Sequence, residues 1–295
     1  MINGFTVNNW LNRKPVEDSY SFDAEKGIMI VADGITRDPK NMPILCYGSK
    51  NPFKWHRFFK NYPNPSPAKK AADLFCKTAL ECLRSYGEIG KLSIRNAFDA
   101  GNEAIHSLNR KENPLPDYLE NDFYGCVAAI ASMQNGIISW GHIADPGVCV
   151  FDKDGNIPIA RINTELNDEL KSTLSEGPSS ELGIVMSRRK LNFNMPEGRK
   201  LIRRNYRNNP TEEMAYGALT GESIAMYYVR TGQWILNPEE SVVVYTDGLE
   251  HIIDDDNFRK QIKQKDIARL KRVCQKKVKT EGTAVVYFPE LKGAA

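Results

Sequence analysis

The feature that most constrains the fold is an apolar run at residues 27–34, Gly-Ile-Met-Ile-Val-Ala-Asp-Gly. A short run of branched apolar side chains stopped by a turn pair is typical of a buried strand. The last side chain before the turn is the Asp33 carboxylate. This strand therefore brings an acidic group to the edge of a hydrophobic core.

The residues upstream of this run predict a β-hairpin with an acidic open end. Residues 18–22 have a strand pattern, and residues 23–27 form a polar connection ending in glycine, as a hairpin turn requires. Antiparallel pairing places Asp18 opposite Asp33, because both lie equally far from the loop centre, and Glu17 lies beside them. Neighbouring carboxylates repel one another unless a cation lies among them, and hard divalent cations prefer such oxygen ligands. The hairpin therefore predicts a metal site.

Composition excludes several classes of protein. The chain has 295 residues, 41% hydrophobic and 26% charged, which is typical of a globular protein, and a formal net charge of +3 means that any basic surface is local. No linker argues for a second unit, so we expect one domain over residues 1–295. Six cysteines without a C-x-x-C pair disfavour zinc and favour a reducing compartment. Without a secretory signal or a membrane-spanning run, we predict a cytoplasmic protein that does not enter a membrane.

Strand and helix patterns alternate along the rest of the chain. Further strands are predicted at residues 3–9, 126–133, 137–144, 148–151, 157–162, 241–246 and 283–288. Helical spacing predicts helices from Pro67, capped by Ser66, towards Gly87, from Ser93 as a cap to about Arg110, and over 255–279. His106 on the second helix is interpreted as structural.

Two long irregular segments have an open interpretation. Residues 38–67 are rich in proline and carry an aromatic and basic patch at 53–59, which suits either a partner contact or, by preference, packing onto the core. Residues 163–215 are polar with several basic clusters. They are consistent with steering of an anionic substrate, with nucleic-acid binding or, by default, with a solvated face.

Three further acids lie at predicted strand boundaries. Asp145 and Asp247 follow strands, and Glu281 precedes the last strand, so antiparallel pairing can bring Glu281 to the same edge as Asp247. A single Asp-Gly pair is a common turn and a weak signal, and Asp145 before Pro146 alone suggests only a turn. The informative observation is the set of acids at strand boundaries.

This set resembles the metal-dependent protein phosphatases, the 2C-type serine/threonine phosphatases. The matching stretches are Arg13-x-x-x-Glu17-Asp18, Val31-Ala32-Asp33-Gly34, Gly125-Cys126-Val127-Ala128, Ala144-Asp145, Gly217-Ala218-Leu219-Thr220-Gly221, Tyr245-Thr246-Asp247-Gly248 and Glu281-Gly282-Thr283-Ala284-Val285. Their order covers the chain from about residue 3 to residue 288.

The resemblance implies an α+β fold, a four-layer α-β-β-α sandwich of two antiparallel sheets flanked by helices. It also implies two Mn²⁺ or Mg²⁺ ions and a third, weaker site. The implied ligands are Asp33 bridging the pair, Asp247 and Glu281 at one ion, Glu17 and the Gly34 carbonyl at the other, and Asp145 at the third site.

The implied activity is hydrolysis of phosphoserine and phosphothreonine in proteins, opposing a serine/threonine kinase. The ions lower the pKa of a bridging water, whose hydroxide attacks phosphorus in line. Asp18 would hold metal-bound waters, and Arg13 would bind the phosphate through its planar fork. Residues 163–215 would include the variable flap of the family, and their basic charge would serve substrate recognition.

The chain departs from the family pattern in three places. After Asp33-Gly34 it has Ile35-Thr36-Arg37, where the family has glycines and often a histidine that protonates the leaving alkoxide. Glu281-Gly282 replaces an Asp-Asn pair, and Pro146-Gly147 follows Asp145 where the family has Ser-Arg. The longer arm of glutamate changes the geometry at one ion.

Two competing functions follow from these observations. The departures motivate a non-catalytic or weakened relative that keeps the fold as a binding or regulatory module, although retention of the other acids argues against it. The basic segments 188–207 and 259–279 motivate a nucleic-acid-associated protein, which predicts steeply salt-dependent binding. The phosphatase hypothesis is preferred over both, and nucleic acid is disfavoured as a partner.

Overall fold

The computed structural model describes residues 1–9, 15–35, 63–112, 114–115, 117, 123–156, 161–162, 203–212 and 215–289. The predictions for Arg13, for Thr36-Arg37, for residues 38–62, for residues 157–160 of the strand expected at 157–162, and for most of the basic segment 163–215 lie outside these residues.

Two five-stranded antiparallel sheets form the centre of the molecule. The first sheet contains, in spatial order, β1 (Ile2–Asn8), β10 (Glu281–Tyr287), β9 (Ser241–Tyr245), β6 (Gly147–Phe151) and β7 (Arg161–Ile162). The second contains β2 (Ser19–Asp23), β3 (Ile28–Gly34), β4 (Cys126–Gln134), β5 (Ile137–Ile143) and β8 (Arg230–Ile235). Strands that are distant in sequence therefore become neighbours.

Helices cover the outer face of each sheet. On one side lie α1 (Pro67–Arg84) and α2 (Lys91–Glu112), and on the other lie α3 (Glu250–Ile253), α4 (Asp256–Gln264) and α5 (Ile267–Lys277). Short 3₁₀ turns occupy Ser223–Tyr228 and Asp247–Leu249. No helix among the described residues has the length and apolar character needed to cross a membrane.

Strand alternation divides the apolar side chains into three buried layers. In β3, Ile28 and Ile30 pack under α1 and α2, whereas Met29 and Val31 pack between the two sheets. A third cluster, which includes Phe258 and Leu270, joins α4 and α5 to the first sheet. The predicted four-layer α-β-β-α sandwich is confirmed.

The predicted strands and the first helix agree closely with the structure, including the Ser66 cap, whose hydroxyl accepts from the Lys69 N–H at 3.1 Å. The single helix expected over 255–279 is wrong. The chain breaks after Gln264, where Lys265 adopts φ 54° and Asp266 caps a new helix. The second helix begins at Lys91, so Ser93 is not its cap, and β8 was not predicted.

Candidate functional site

The β2–β3 hairpin has the register that the sequence predicts. Ser19 pairs with Ala32 and Tyr20 with Val31, so Asp18 lies one position beyond the last pair, opposite Asp33. Asp33 falls on the same face of β3 as Met29 and Val31, which pack between the sheets. The hairpin thus directs an acidic pair to the edge of the layer between the two sheets.

The first sheet contributes Asp247 and Glu281 at the same edge. Ala284 pairs with Tyr245, and the Thr246 N–H continues this ladder by donating to the Thr283 carbonyl at 3.0 Å. The turn after β9 lies directly against the start of β10, because a Cβ on Gly248 would come within 1.8 Å of the Glu281 carbonyl oxygen. Glycine is therefore required beside Asp247.

Hydrogen bonds join these two acidic ends. The Thr246 hydroxyl donates to Asp18 Oδ2 at 2.7 Å, and Thr246 Oγ1 accepts from the Thr283 N–H at 2.9 Å. Glu281 Oε2 accepts from the backbone N–H of Glu17 at 2.7 Å and of Asp18 at 3.4 Å. Side chains at the edge of the first sheet therefore hold the segment that leads into β2 of the second sheet and carries Glu17 and Asp18.

The carboxylates share one electrostatic environment. Burial raises the pKa of Asp33 well above its usual 3.8, and the negative charges of Asp18, Asp247, Asp145 and Glu281 raise it further. Burial also raises the pKa of Asp18 to about 7. There the Glu281 and Asp247 charges add to the effect of burial, and hydrogen bonds from Thr246 and Thr283 oppose it. A bound cation would relieve this repulsion.

The donor set fits a hard divalent cation. Asp18 Oδ1 is buried and has no hydrogen-bond partner among the described residues, so it can face a coordinated water. Oxygen ligands at this edge match the preference of Mg²⁺ and Mn²⁺.

The described part of the chain nevertheless contains no three Asp, Glu, His or Cys side chains already arranged around a common point. Two of the predicted ligands bond to the protein instead, since Glu17 Oε1 accepts from the Ser66 hydroxyl at 2.5 Å and Glu281 bonds to the amides described above.

Gly34 is packed too tightly for any side chain. A Cβ at this position would lie 2.7 Å from the Ala68 carbonyl and 2.8 Å from the Glu17 carbonyl oxygen. The backbone of Gly34 therefore lies against both the first turn of α1 and the acidic segment, in the place where the sequence predicts a carbonyl ligand.

Asp145 follows β5 and is partly buried. Ala144 before it adopts φ 59°, and its carbonyl accepts from Nδ1 of the buried His142 at 3.1 Å. Of the predicted site residues, only Arg13 lies outside the described part of the chain.

Several residues at this edge were not predicted. Thr246, Thr283, Ser66 and Lys69 each bond to the acidic segment, Lys69 Nζ donating to the Asp18 carbonyl at 2.8 Å and pairing with Asp73 at 2.7 Å. A hydroxyl directly before Asp247 was a visible signal for Thr246. Lys69 gave none, because its role depends on how α1 packs against the hairpin.

Two packed antiparallel sheets, outer helices and an acidic edge between the sheets define the sandwich class to which the 2C-type phosphatases belong. The family model described as protein phosphatase 2C matches residues 65–281. The chain therefore belongs to the protein phosphatase 2C family, a family of serine/threonine protein phosphatases.

Solved structures match over nearly the whole chain. The Mycobacterium tuberculosis serine/threonine phosphatase PstP/Ppp is 15% identical, with 99% of each chain covered and a TM-score of 0.58. The catalytic domain of PstP with two manganese ions is 16% identical, covering 97% of this chain and 96% of its own, with a TM-score of 0.58. The Mycobacterium smegmatis phosphatase MsPP with cacodylate is 13% identical, with 98% of each chain covered and a TM-score of 0.57.

These likenesses show the shared fold. No curated protein matches the sequence.

Proposed function

We propose that this protein hydrolyses phosphoserine and phosphothreonine in proteins with Mn²⁺ or Mg²⁺ bound at the acidic edge. The observation that carries the proposal is the position of Asp33 at the end of β3. The negative charges of four other acids lie close enough to raise its pKa, namely those of Asp18, Asp247, Asp145 and Glu281. Acids from both sheets at one edge form a poor structural core and a good cation site.

The residues that would hold the metal are those of the two sheet ends. Asp33 would be shared by two ions. Asp247 and Glu281 would complete the site of one ion, and Glu17 and the Gly34 carbonyl would complete the site of the other. Asp145 would serve a third, weaker site. The two manganese ions in the related PstP structure support this number. When bound, such ions lower the pKa of a coordinated water and polarise the phosphoryl group.

The chain's own residues supply orientation. Asp18 Oδ1 can accept a hydrogen bond from a water in the cleft, while Thr246 and Thr283 hold the carboxylate. Arg13 would bind the phosphate with its fork of donors, which remains a proposal from the sequence. Ile35 has no proton to give to the leaving alkoxide, so a water held at the acidic edge would have to supply it.

The proposed substrate is a phosphoprotein whose phosphate a serine/threonine kinase adds, in a reducing cytoplasm. The basic segment 163–215 would act as a flap that recognises the substrate. The related MsPP was solved in complex with cacodylate, a tetrahedral oxyanion of arsenic, which supports an oxyanion ligand for this chain as well.

One observation favours a weakened or regulatory module instead. The Glu281 carboxylate accepts hydrogen bonds from the Glu17 and Asp18 amides, and the loss of these bonds would oppose metal binding. A protein of this kind would bind phosphorylated ligands without releasing phosphate.

A hydrolysis assay separates the two hypotheses. A chromogenic phosphate monoester and a phosphothreonine peptide would be incubated with the protein, with and without Mn²⁺. We expect Mn²⁺-dependent release of phosphate, which Asp33→Asn abolishes while the protein remains folded. Absence of release from either substrate over a range of Mn²⁺ concentrations would contradict the proposal and favour the binding module.

A further inference from the structure

The outer surface of α4 and α5 has a strong excess of positive charge. Between residues 256 and 279 the basic side chains are Arg259, Lys260, Lys263, Lys265, Arg269, Lys271, Arg272, Lys276, Lys277 and Lys279, and the acidic ones are Asp256 and Asp266. Because the whole chain has a formal net charge of only +3, this surface is a local feature.

Eight of these ten basic residues fall into two groups, while Lys265 donates to the Pro289 carbonyl at 3.1 Å and Lys260 is exposed on α4. Arg259, Lys263, Arg269 and Lys277 pair with carboxylates of Asp254, Asp154, Asp266 and Asp255. Lys271, Arg272, Lys276 and Lys279, here termed the basic stripe, are exposed and form no ion pair with any described residue. Carboxylates of the protein thus neutralise the charge of the first group, whereas the charge of the basic stripe is available to an external anion.

The basic stripe occupies one side of α5. Arg272 and Lys276, four residues apart, project opposite the buried Leu270 and Cys274, whereas Lys271 lies on the flank of the helix about 100° from Arg272. A helix of 11 residues is about 16 Å long. The helical members of the stripe lie within residues 271–276 and so cover about 9 Å, a track that an extended peptide of about three residues could follow.

One end of the stripe adjoins the acidic edge. Lys279 lies two positions before Glu281 in the sequence. The turn between α5 and β10 is fixed to the end of β1, since the Thr280 carbonyl accepts from the Asn9 N–H at 2.7 Å and the Val278 carbonyl accepts from Asn9 Nδ2 at 3.0 Å. The basic stripe thus runs outward from the candidate active site.

The chemistry of this surface selects among anionic partners. The large apolar side chains that are exposed in the described part of the chain all lie outside α4 and α5. The surface therefore lacks the apolar anchors with which interfacial helices enter membranes and the aromatic rings on which single-stranded bases stack. The side chains of the basic stripe are separate cations beside the candidate phosphatase site. They suit the carboxylates of acidic residues on a flexible peptide chain.

We propose that the basic stripe binds acidic side chains located several residues from the phosphorylated residue of the protein substrate. This inference rests on the proposed function and adds the class of substrate that the enzyme prefers. Exposed charge pairs affect mainly the encounter and binding of two molecules. We therefore expect the stripe to lower KM for such substrates without changing the rate of the chemical step, and we expect added salt to weaken this effect.

The test compares two triple variants with the same change in charge. Lys271→Gln/Arg272→Gln/Lys276→Gln removes the helical part of the stripe. Lys77→Gln/Lys91→Gln/Lys111→Gln removes three exposed cations from α1 and α2 on the opposite outer layer. The substrates are a neutral phosphothreonine peptide, the same peptide with four glutamates beginning several residues to either side, and a chromogenic phosphate monoester.

For the stripe variant we expect kcat/KM on an acidic peptide to fall about tenfold at low salt, mainly through KM. The neutral peptide and the chromogenic substrate should be unaffected, as should the control variant with every substrate. Equal losses in both triple variants, or no preference of the wild type for either acidic peptide, would overturn the inference.

A binding measurement keeps this result separate from the proposed function. Fluorescence anisotropy with an unphosphorylated, labelled acidic peptide reports on the stripe even if no substrate is hydrolysed. Binding that the stripe variant loses and the control retains supports the inference. If this peptide does not bind while duplex DNA binds with a steep dependence on salt, the stripe is a nucleic-acid surface and the inference is wrong.

Discussion

The Thr246 hydroxyl donates a hydrogen bond of 2.7 Å to Asp18 Oδ2. Thr246 directly follows β9 of one sheet, and Asp18 directly precedes β2 of the other. Because the same hydroxyl oxygen accepts from the Thr283 N–H at 2.9 Å, three strand ends are tied at one buried atom. The relative position of the two halves of the acidic site therefore depends on a neutral side chain.

Replacing this hydroxyl should affect both stability and metal binding. Thr246→Val keeps the shape but leaves the Thr283 N–H and Asp18 Oδ2 without this partner, for an expected loss of about 1–3 kcal/mol in the free energy of unfolding. Mn²⁺ should also bind more weakly, because Asp18 loses a donor that lowers its pKa. Urea unfolding and calorimetric titration with Mn²⁺ would measure these changes.

Thr6→Val provides the control, since Thr6 Oγ1 shares a 2.8 Å hydrogen bond with Thr283 Oγ1 and takes no direct part in holding Asp18. We expect a smaller loss of stability and unchanged Mn²⁺ affinity. If both variants bind Mn²⁺ equally well, the hydroxyl has only a structural role.

The stability of the metal-free protein should depend on pH through Asp18. Its pKa rises on folding from 3.8 to about 7, so the folded state holds this proton more tightly than the unfolded state. The resulting stabilisation is complete below pH 3.8 and is lost as the pH rises through 7. Asp18→Asn should make the metal-free protein more stable than the wild type near neutral pH, and the difference should shrink towards pH 4.

The difference between the two proteins is the appropriate measure, because other groups titrate in the same range. Burial lowers the pKa of His142 from 6.5 to about 4, so its effect has the opposite sign and removes stability as the pH falls. Both proteins contain His142, and its contribution cancels. A difference that stays constant between pH 4 and pH 8 would contradict the prediction for Asp18.

The register of the acidic hairpin could be predicted because strand alternation and turn length fix it locally. The partnership of Asp247 with Glu281 could also be anticipated from antiparallel pairing. The contacts of Thr246, Ser66 and Lys69 could not, since they depend on how two sheets and a helix pack in three dimensions. The break at Lys265 was missed because the apolar spacing continues across it, while the left-handed residue and new cap are small local signals.

Gly34 should tolerate no side chain. Gly34→Ala places a methyl group 2.7 Å from the Ala68 carbonyl and 2.8 Å from the Glu17 carbonyl oxygen, so the start of α1 or the acidic segment must move. We expect the free energy of unfolding to fall by about 1–3 kcal/mol, as for overpacked cores. Stabilisation of the protein by Mn²⁺ in thermal melts should also decrease.

Gly87→Ala is the matched control, because nothing lies within 4 Å of the Cβ that it would add. This variant should unfold at nearly the wild-type urea concentration and keep the full response to Mn²⁺. Equal stability of the two variants would show that the close packing of Gly34 can relax without cost.

The Glu281→Asp variant tests whether the length of the Glu281 side chain weakens metal binding at the acidic edge. The longer arm of Glu281 allows Oε2 to reach the Glu17 N–H at 2.7 Å, and aspartate is too short to keep this contact without movement of the backbone. If the amide contacts hold the carboxylate away from a metal ion, the variant should bind Mn²⁺ more tightly and hydrolyse a chromogenic phosphate monoester faster at limiting Mn²⁺. Its free energy of unfolding without metal should fall by about 1–3 kcal/mol, because buried amides lose their acceptor.

Glu281→Gln, which keeps an oxygen acceptor but removes the charge, should instead lower the pKa of Asp18 and weaken Mn²⁺ binding. Titration calorimetry and initial rates across a Mn²⁺ series would decide the matter, since tighter binding by the glutamine variant than by the aspartate variant would show that Glu281 is not a ligand.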